Sequence, residues 1–176
     1  MITLPCSNAT HKGQSVKGSF GMGRASGFWL AVARLCGVGT VSPAPGTVAT
    51  AVVGVPSAVL LSFLSAPWDY GVVVLVFFLA CLASARAASV LEDDDPRQVV
   101  IDELVGYLVT MVGLPVSPLS LATGFVAFRL FDIWKPWPVS VLDRRLGGGL
   151  GIVADDVAAG LYAHVCVWGV LQWVGR

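Results

Sequence analysis

Five carboxylates stand inside or at the edges of apolar stretches: Asp102, Glu103, Asp132, Asp155 and Asp156. An ionised carboxylate at membrane depth costs a few kcal/mol even on lenient insertion scales, about 2.5–3.5. Such groups persist when they pair, bind a metal or line a wet cavity. With no His or Cys beside them, clustered carboxylates are hard oxygen ligands, suited to Mg²⁺ rather than zinc. Around them stand Arg129, Lys135, Arg144 and Arg145, cations able to clamp phosphate. Arg129 and Asp132 are three residues apart, so on a helix they share a face. Carboxylates, cations and a Gly-rich loop at a membrane surface suggest phosphate chemistry on a lipid head group. The sequence holds no Ser/His/Asp grouping, no GxSxG and no P-loop.

The elements that must position these residues are apolar helices. Of the 176 residues, 56% are hydrophobic and 12% charged, and mean hydropathy is +0.79. A soluble domain carries about 25% charge, and one of this size could not hide so much apolar surface. Net charge is zero, with 11 Lys+Arg against 11 Asp+Glu, so there is no nucleic-acid footprint. The four cysteines fit no metal or redox spacing and read as free thiols. Residues 1–27 are polar and lack the apolar core of a signal peptide. They read as a cytoplasmic tail ahead of a membrane-embedded domain, 28–176.

The apolar runs predict an all-α polytopic bundle of about five transmembrane spans: Thr47 to Ala66, Tyr70 to Val90, Val99 to Leu114, Pro118 to Trp134 and Val153 to Val174. A span needs about 20 residues, so the count falls to four if one short helix is re-entrant. Phe28 to Leu35 reads as a short interfacial helix. The runs are uniformly apolar rather than alternating, which favours helices over a barrel. With the N-terminus in the cytosol, the inside segments hold Lys12, Lys17, Arg24, Arg34, Arg86, Arg97, Lys135, Arg144 and Arg145. The turns at Pro67-Trp68-Asp69 and Pro115-Val116-Ser117 hold no Lys or Arg. That is a positive-inside pattern. It brings all five carboxylates, together with Pro45-Gly46-Thr47, to the cytoplasmic face.

Each assignment has a plainer counterpart. Asp102/Glu103 and Asp155/Asp156 are placed in first helical turns, where acids cap helices anyway. Asp132 pairs with Arg129 or Lys135. Arg144 and Arg145 set topology or bind anionic lipid. Glu92, Asp93 and Asp94 read as a solvated loop, and Asp95 and Asp143 are open between site and surface. Gly147 to Gly151 reads as a flexible turn, and His164 as a polar packing group in mid-span.

These residues carry a family resemblance. Asp95-Pro96-Arg97-Gln98-Val99-Val100-Ile101-Asp102-Glu103-Leu104-Val105-Gly106 resembles the DPxxxVIDExVG motif of the phosphatidylglycerophosphatase A family. Phe128-Arg129-Leu130-Phe131-Asp132-Ile133-Trp134-Lys135-Pro136-Trp137-Pro138, followed by Asp143, is similar to its FRxxDxxKPxP…D stretch. Gly148-Gly149-Leu150-Gly151-Ile152-Val153-Ala154-Asp155-Asp156 with Ala159-Gly160 matches GGxGxxxDDxxAG, and Pro45-Gly46-Thr47 matches its PGT. The chain departs at Ser42-Pro43-Ala44-Pro45, one residue short, and at Ala49, where the family has glycine. The resemblance implies a Mg²⁺-dependent phosphatase of the bacterial inner membrane that converts phosphatidylglycerophosphate to phosphatidylglycerol and phosphate. Asp102, Glu103, Asp132, Asp155 and Asp156 would hold metal and do the chemistry. Arg129, Lys135, Thr47 and Arg144 would bind the phosphate. Either a water or a carboxylate attacks phosphorus. The alternatives are an ion or proton carrier built on intramembrane acids, and a CDP-alcohol phosphotransferase, whose DGxxAR pattern is absent.

Overall fold

The computed structural model describes residues 24–41, 43–93, 96–137 and 148–175. Among them every regular element is a helix. α1 spans Arg24–Ala33, followed by a 3₁₀ turn at Val38–Thr40. α2 runs Pro45–Leu61, α3 Trp68–Leu91, α4 Ile101–Met111, α5 Pro118–Trp134 and α6 Gly148–Val174. The first helix starts at Arg24, four residues ahead of the expected Phe28, and the rest of the polar tail lies outside the described residues.

Local sequence explains the punctuation. Pro45 opens α2, where its missing N–H would lack an intrahelical partner anyway. A π turn at Thr50–Gly54 interrupts that helix just before Pro56, whose ring removes another donor. α5 opens with a capping box. The Ser117 hydroxyl accepts from Ser120 N–H at 3.1 Å, the Ser120 hydroxyl accepts from Ser117 N–H at 2.8 Å, and Pro118 occupies the first turn. α5 stops at Lys135, which adopts left-handed backbone (φ 45°) ahead of Pro136.

α6 is the central helix, packing on α3, α4 and α5, while α1 lies on α3 and α2 lies on α4. Tyr107 and Phe128 are the largest fully buried side chains. Their rings meet edge-to-face at 6.3 Å, and the Tyr107 hydroxyl donates to the Leu121 carbonyl at 2.9 Å. Large apolar side chains point outward from four helices: Phe63 beside the end of α2, Phe78 on α3, Val126 and Ile133 on α5, Val165 and Trp173 on α6. So much exposed apolar surface marks contact with lipid or protein rather than water.

Two of the five expected spans, α3 and α6, are long and apolar enough to cross a membrane. The other three are helices of 17 residues or fewer. The 11 residues of α4 rise about 16 Å, roughly half a hydrocarbon core. The apolar run from Val99 continues past that helix only as a turn, because Gly113 takes φ 72° beneath the Tyr70 hydroxyl. α5, at 17 residues, matches its expected boundaries. Cys36, Cys81 and Cys166 are free thiols, and Cys6 lies outside the described residues.

Candidate active site

At one end of the bundle a cavity of about 550 Å³ opens between the starts of α2 and α4, the end of α5 and the first half of α6. All five carboxylates singled out from the sequence line it: Asp102, Glu103, Asp132, Asp155 and Asp156. Asp155 and Asp156 are buried, and Glu103 and Asp132 are nearly so. Lys135 and Arg97 line the same cavity.

Three carboxylates form its floor. One oxygen each of Glu103, Asp132 and Asp156 lies within 4.8 Å of the other two. Like charges this close repel strongly at low dielectric, so the arrangement needs cations. Arg129 supplies one from below, pairing with Glu103 and reaching Asp132 Oδ2 at 3.0 Å. Asp132 thus combines the ion pair expected of it with a place in the cluster. Lys135 Nζ donates to Asp155 Oδ2 at 2.6 Å. The left-handed turn at Lys135 redirects the chain as it leaves α5, and the amine meets Asp155 on α6. Such a backbone costs a non-glycine residue about 1–2 kcal/mol, an expense tolerated more often at functional sites than elsewhere.

The capping interpretation separates the two acidic pairs. Asp102 does serve its own helix, its Oδ1 accepting from Glu103 N–H at 3.0 Å. Asp155 and Asp156 do not, because α6 begins at Gly148 rather than near Val153 and puts them about two turns in. The expected flexible glycine turn is therefore, over Gly148–Gly151, the first turn of that helix. Gly149 packs on the α3 backbone at Cys81 and Ala85, where a Cβ would not fit. Gly147 lies outside the described residues.

The proline-glycine entry to α2 also takes part. Gly46 lines the cavity, and a Cβ there would overlap the Glu103 carboxylate and crowd Arg129. Thr47 is half-buried next to it, and the cavity wall is formed by Gly46 instead. Thr50, overlooked in the sequence, is fully buried in the π turn; its hydroxyl donates to the Gly46 carbonyl at 2.9 Å and approaches Glu103 Oε2 at 3.4 Å. Its one signal is polarity in a run without charges. Arg97 was likewise read only as a topological charge. Arg144, Arg145, Asp95 and Asp143 lie outside the described residues. His164 is half-buried farther along α6, and its Nδ1 has no hydrogen-bond partner among the described residues.

A helical bundle with two membrane-length helices and an acid-lined cavity at one end defines a membrane-associated protein with a carboxylate-rich site. The chain belongs to the phosphatidylglycerophosphatase A family, whose profile matches residues 31–171, and it is a phosphatase. It is 34% identical over 154 residues to the phosphatidylglycerophosphatase A of Escherichia coli (strain K12), covering 84% of each chain. It is 32% identical over 139 residues to the Haemophilus influenzae protein of the same name, covering 78% of this chain and 85% of that one. A Bacteroides thetaiotaomicron protein, 31% identical over 137 residues with 74% and 85% coverage, is provisionally named a phosphatidylinositol-3-phosphatase. No solved structure matches the chain.

Proposed function

We propose that the chain hydrolyses the terminal phosphomonoester of phosphatidylglycerophosphate, releasing inorganic phosphate and phosphatidylglycerol, with Mg²⁺ held by Glu103, Asp132 and Asp156. The observation that carries this reading is the convergence of those three carboxylates in one cavity, flanked by Lys135. The donor set suits a hard divalent cation: all oxygens, no nitrogen or sulfur. Asp156 Oδ2 is buried without a hydrogen-bond partner among the described residues, an orphan that a cation would satisfy. Charge balance agrees. Among the described residues the five carboxylates outnumber the cations Arg97, Arg129 and Lys135, so added positive charge would favour an anionic phosphate there.

When bound, the metal supplies charge neutralisation and Lewis acidity at the phosphoryl oxygens. The protein supplies the rest. Lys135 Nζ, at the cavity wall, donates to a phosphoryl oxygen. Arg129 keeps the Glu103 and Asp132 carboxylates oriented. Asp102 lines the cavity and makes no ion pair among the described residues, which leaves it to take a proton from the attacking water and return it to the glycerol oxygen as the phosphorus–oxygen bond breaks. In the alternative course an aspartate attacks directly, and water then hydrolyses the aspartyl phosphate. The carboxylates gather at one end of the bundle rather than along a path through it, which disfavours a carrier. The deciding assay is phosphate release from phosphatidylglycerophosphate in detergent micelles with Mg²⁺ or with EDTA. Release that requires the cation but no membrane gradient supports the reading. Release unaffected by EDTA removes the metal from it, and ion flux without release favours a carrier.

The reading also places the protein in the bacterial inner membrane as a multi-pass enzyme, with its N-terminus and cavity cytoplasmic. Support comes from the one-sided distribution of Lys and Arg. In a cysteine-free background, Ser65→Cys should react with an impermeant thiol reagent in intact spheroplasts, and Trp137→Cys only after permeabilisation; both side chains are exposed on the fold. Equal labelling of both from outside would overturn the orientation.

A further inference from the structure

Of the three described cations at the site, two already contact carboxylates. Arg129 lies beneath the carboxylates, pairing with Glu103 and Asp132, and Lys135 is tied to Asp155. Arg97 differs. It lines the same cavity, its side chain is exposed, and it makes no hydrogen bond or ion pair among the described residues.

The turn that carries it is held from several sides. Pro96 is buried, and its carbonyl accepts from Val99 N–H at 2.8 Å. Gln98 Oε1 accepts from the Arg34 guanidinium at the end of α1, and Val100 N–H donates to the Ala33 carbonyl at 3.0 Å. Val99 and Val100 are buried, and the Gln98 carbonyl packs against Gly39 so closely that no Cβ would fit there. Of five consecutive residues, the two flanking Arg97 are anchored and the next two are buried, so Arg97 is presented at the cavity's exposed side by a fixed backbone. A mere solubilising charge needs no such mounting.

We propose that Arg97 binds the phosphodiester of the lipid substrate and so selects lipids carrying two phosphates over phosphatidic acid. This rests on reading the cavity as a lipid-phosphate hydrolase site. Phosphatidylglycerophosphate has a terminal phosphomonoester and, one glycerol closer to its acyl chains, a phosphodiester. The monoester must reach the buried carboxylates to react. The diester then trails toward the open side, where Arg97 stands. A guanidinium matches two non-bridging diester oxygens with paired N–H donors, a geometry that an ammonium group cannot reproduce. Phosphatidic acid has a monoester directly on diacylglycerol and offers nothing at that position.

The test compares wild type, Arg97→Gln and Arg97→Lys in mixed micelles of one composition. KM and kcat are measured on phosphatidylglycerophosphate, and phosphatidic acid is measured as substrate or as competitive inhibitor. Arg97→Gln should raise KM for phosphatidylglycerophosphate about tenfold, equivalent to about 1.4 kcal/mol. It should leave kcat and the phosphatidic acid constants within about twofold, and Arg97→Lys should fall between. Equal losses on both lipids, or no change on either, would overturn the proposal while leaving the hydrolase reading intact. Wild-type protein that releases no phosphate from phosphatidylglycerophosphate would overturn both.

Discussion

Asp156→Asn should abolish phosphate release and at the same time make the cation-free protein more stable. The two effects have one cause. Asp156 is buried against Glu103 and Asp132, with Oδ2 lacking a partner. Without a cation, its charge adds repulsion to a cluster already short of positive partners. The amide has nearly the same shape and removes that charge, so Tm in EDTA should rise by a few degrees, the range expected for about 1 kcal/mol in a domain of this size. With Mg²⁺ the order reverses. A ligand at 100 times its Kd stabilises wild type by about 2.7 kcal/mol, and Asp156→Asn should lose most of that shift. Glu103→Gln and Asp132→Asn should also lose activity, by at least the 10²–10³-fold typical of removing one transition-state-stabilising group. Their stability gain should be smaller, because each now pairs with Arg129. Asp93→Asn, exposed on the loop after α3, should behave as wild type in both assays. A fall in EDTA stability for Asp156→Asn with activity retained would make the residue structural and remove the metal argument. Phosphate release and thermal unfolding with and without Mg²⁺ decide the matter.

How much of this was legible in the sequence depended on the kind of signal. The carboxylates were visible because their cost in apolar surroundings is large, and all five line one cavity. Their convergence followed from topology, since helix ends on one side of a bundle must meet. Partners were less visible. Arg129 was expected to bind phosphate and to share a face with Asp132, and the structure pairs it with Glu103 as well as Asp132. Sequence spacing put it on the face of Asp132 but could not show that α4 would bring Glu103 to the same guanidinium. Helix ends were the weakest reading. Gly148 to Gly151 looked like a turn because glycine lowers helix propensity by about 1 kcal/mol per residue. Tertiary contact overrides that cost, since only glycine lets α6 lie on the α3 backbone at Cys81 and Ala85. Hydropathy likewise overstated α4, because an apolar run shows where burial is possible and not where the hydrogen-bond ladder stops. Thr50 and Arg97 passed as background: a single hydroxyl and a single charge have no periodicity to betray them.

Gly160→Ala should cost activity out of proportion to its size, because the site's geometry is set one helical turn away from the acids themselves. Gly106 follows Asp102 by four residues on α4, and Gly160 follows Asp156 by four on α6. Residues four apart share a helix face, so each glycine lies directly beyond an acid on the surface where the two helices meet. There the backbones touch. A Cβ on Gly160 would meet the carbonyl oxygen, carbonyl carbon and Cα of Gly106, and one on Gly106 would come within 2.7 Å of the Asp156 carbonyl oxygen. None of these atoms belongs to a side chain that could turn aside. Small residues are what permit such close crossings in membrane helices. One methyl group must therefore separate α4 and α6 by about 1 Å to restore ordinary contact, and the Asp102/Glu103 and Asp156 carboxylates move apart with them. Overpacking of this kind costs about 1–3 kcal/mol. A displacement of about 1 Å at reacting groups can lower turnover by on the order of 10²-fold, and the predicted result for Gly160→Ala is that loss in a protein that remains helical and folded. Gly169→Ala, on the same helix with nothing within 4 Å of the added atom, should be silent in both respects. Phosphate release measured beside helical content by circular dichroism separates the outcomes. Full activity in Gly160→Ala would mean that this crossing does not set the spacing of the acids.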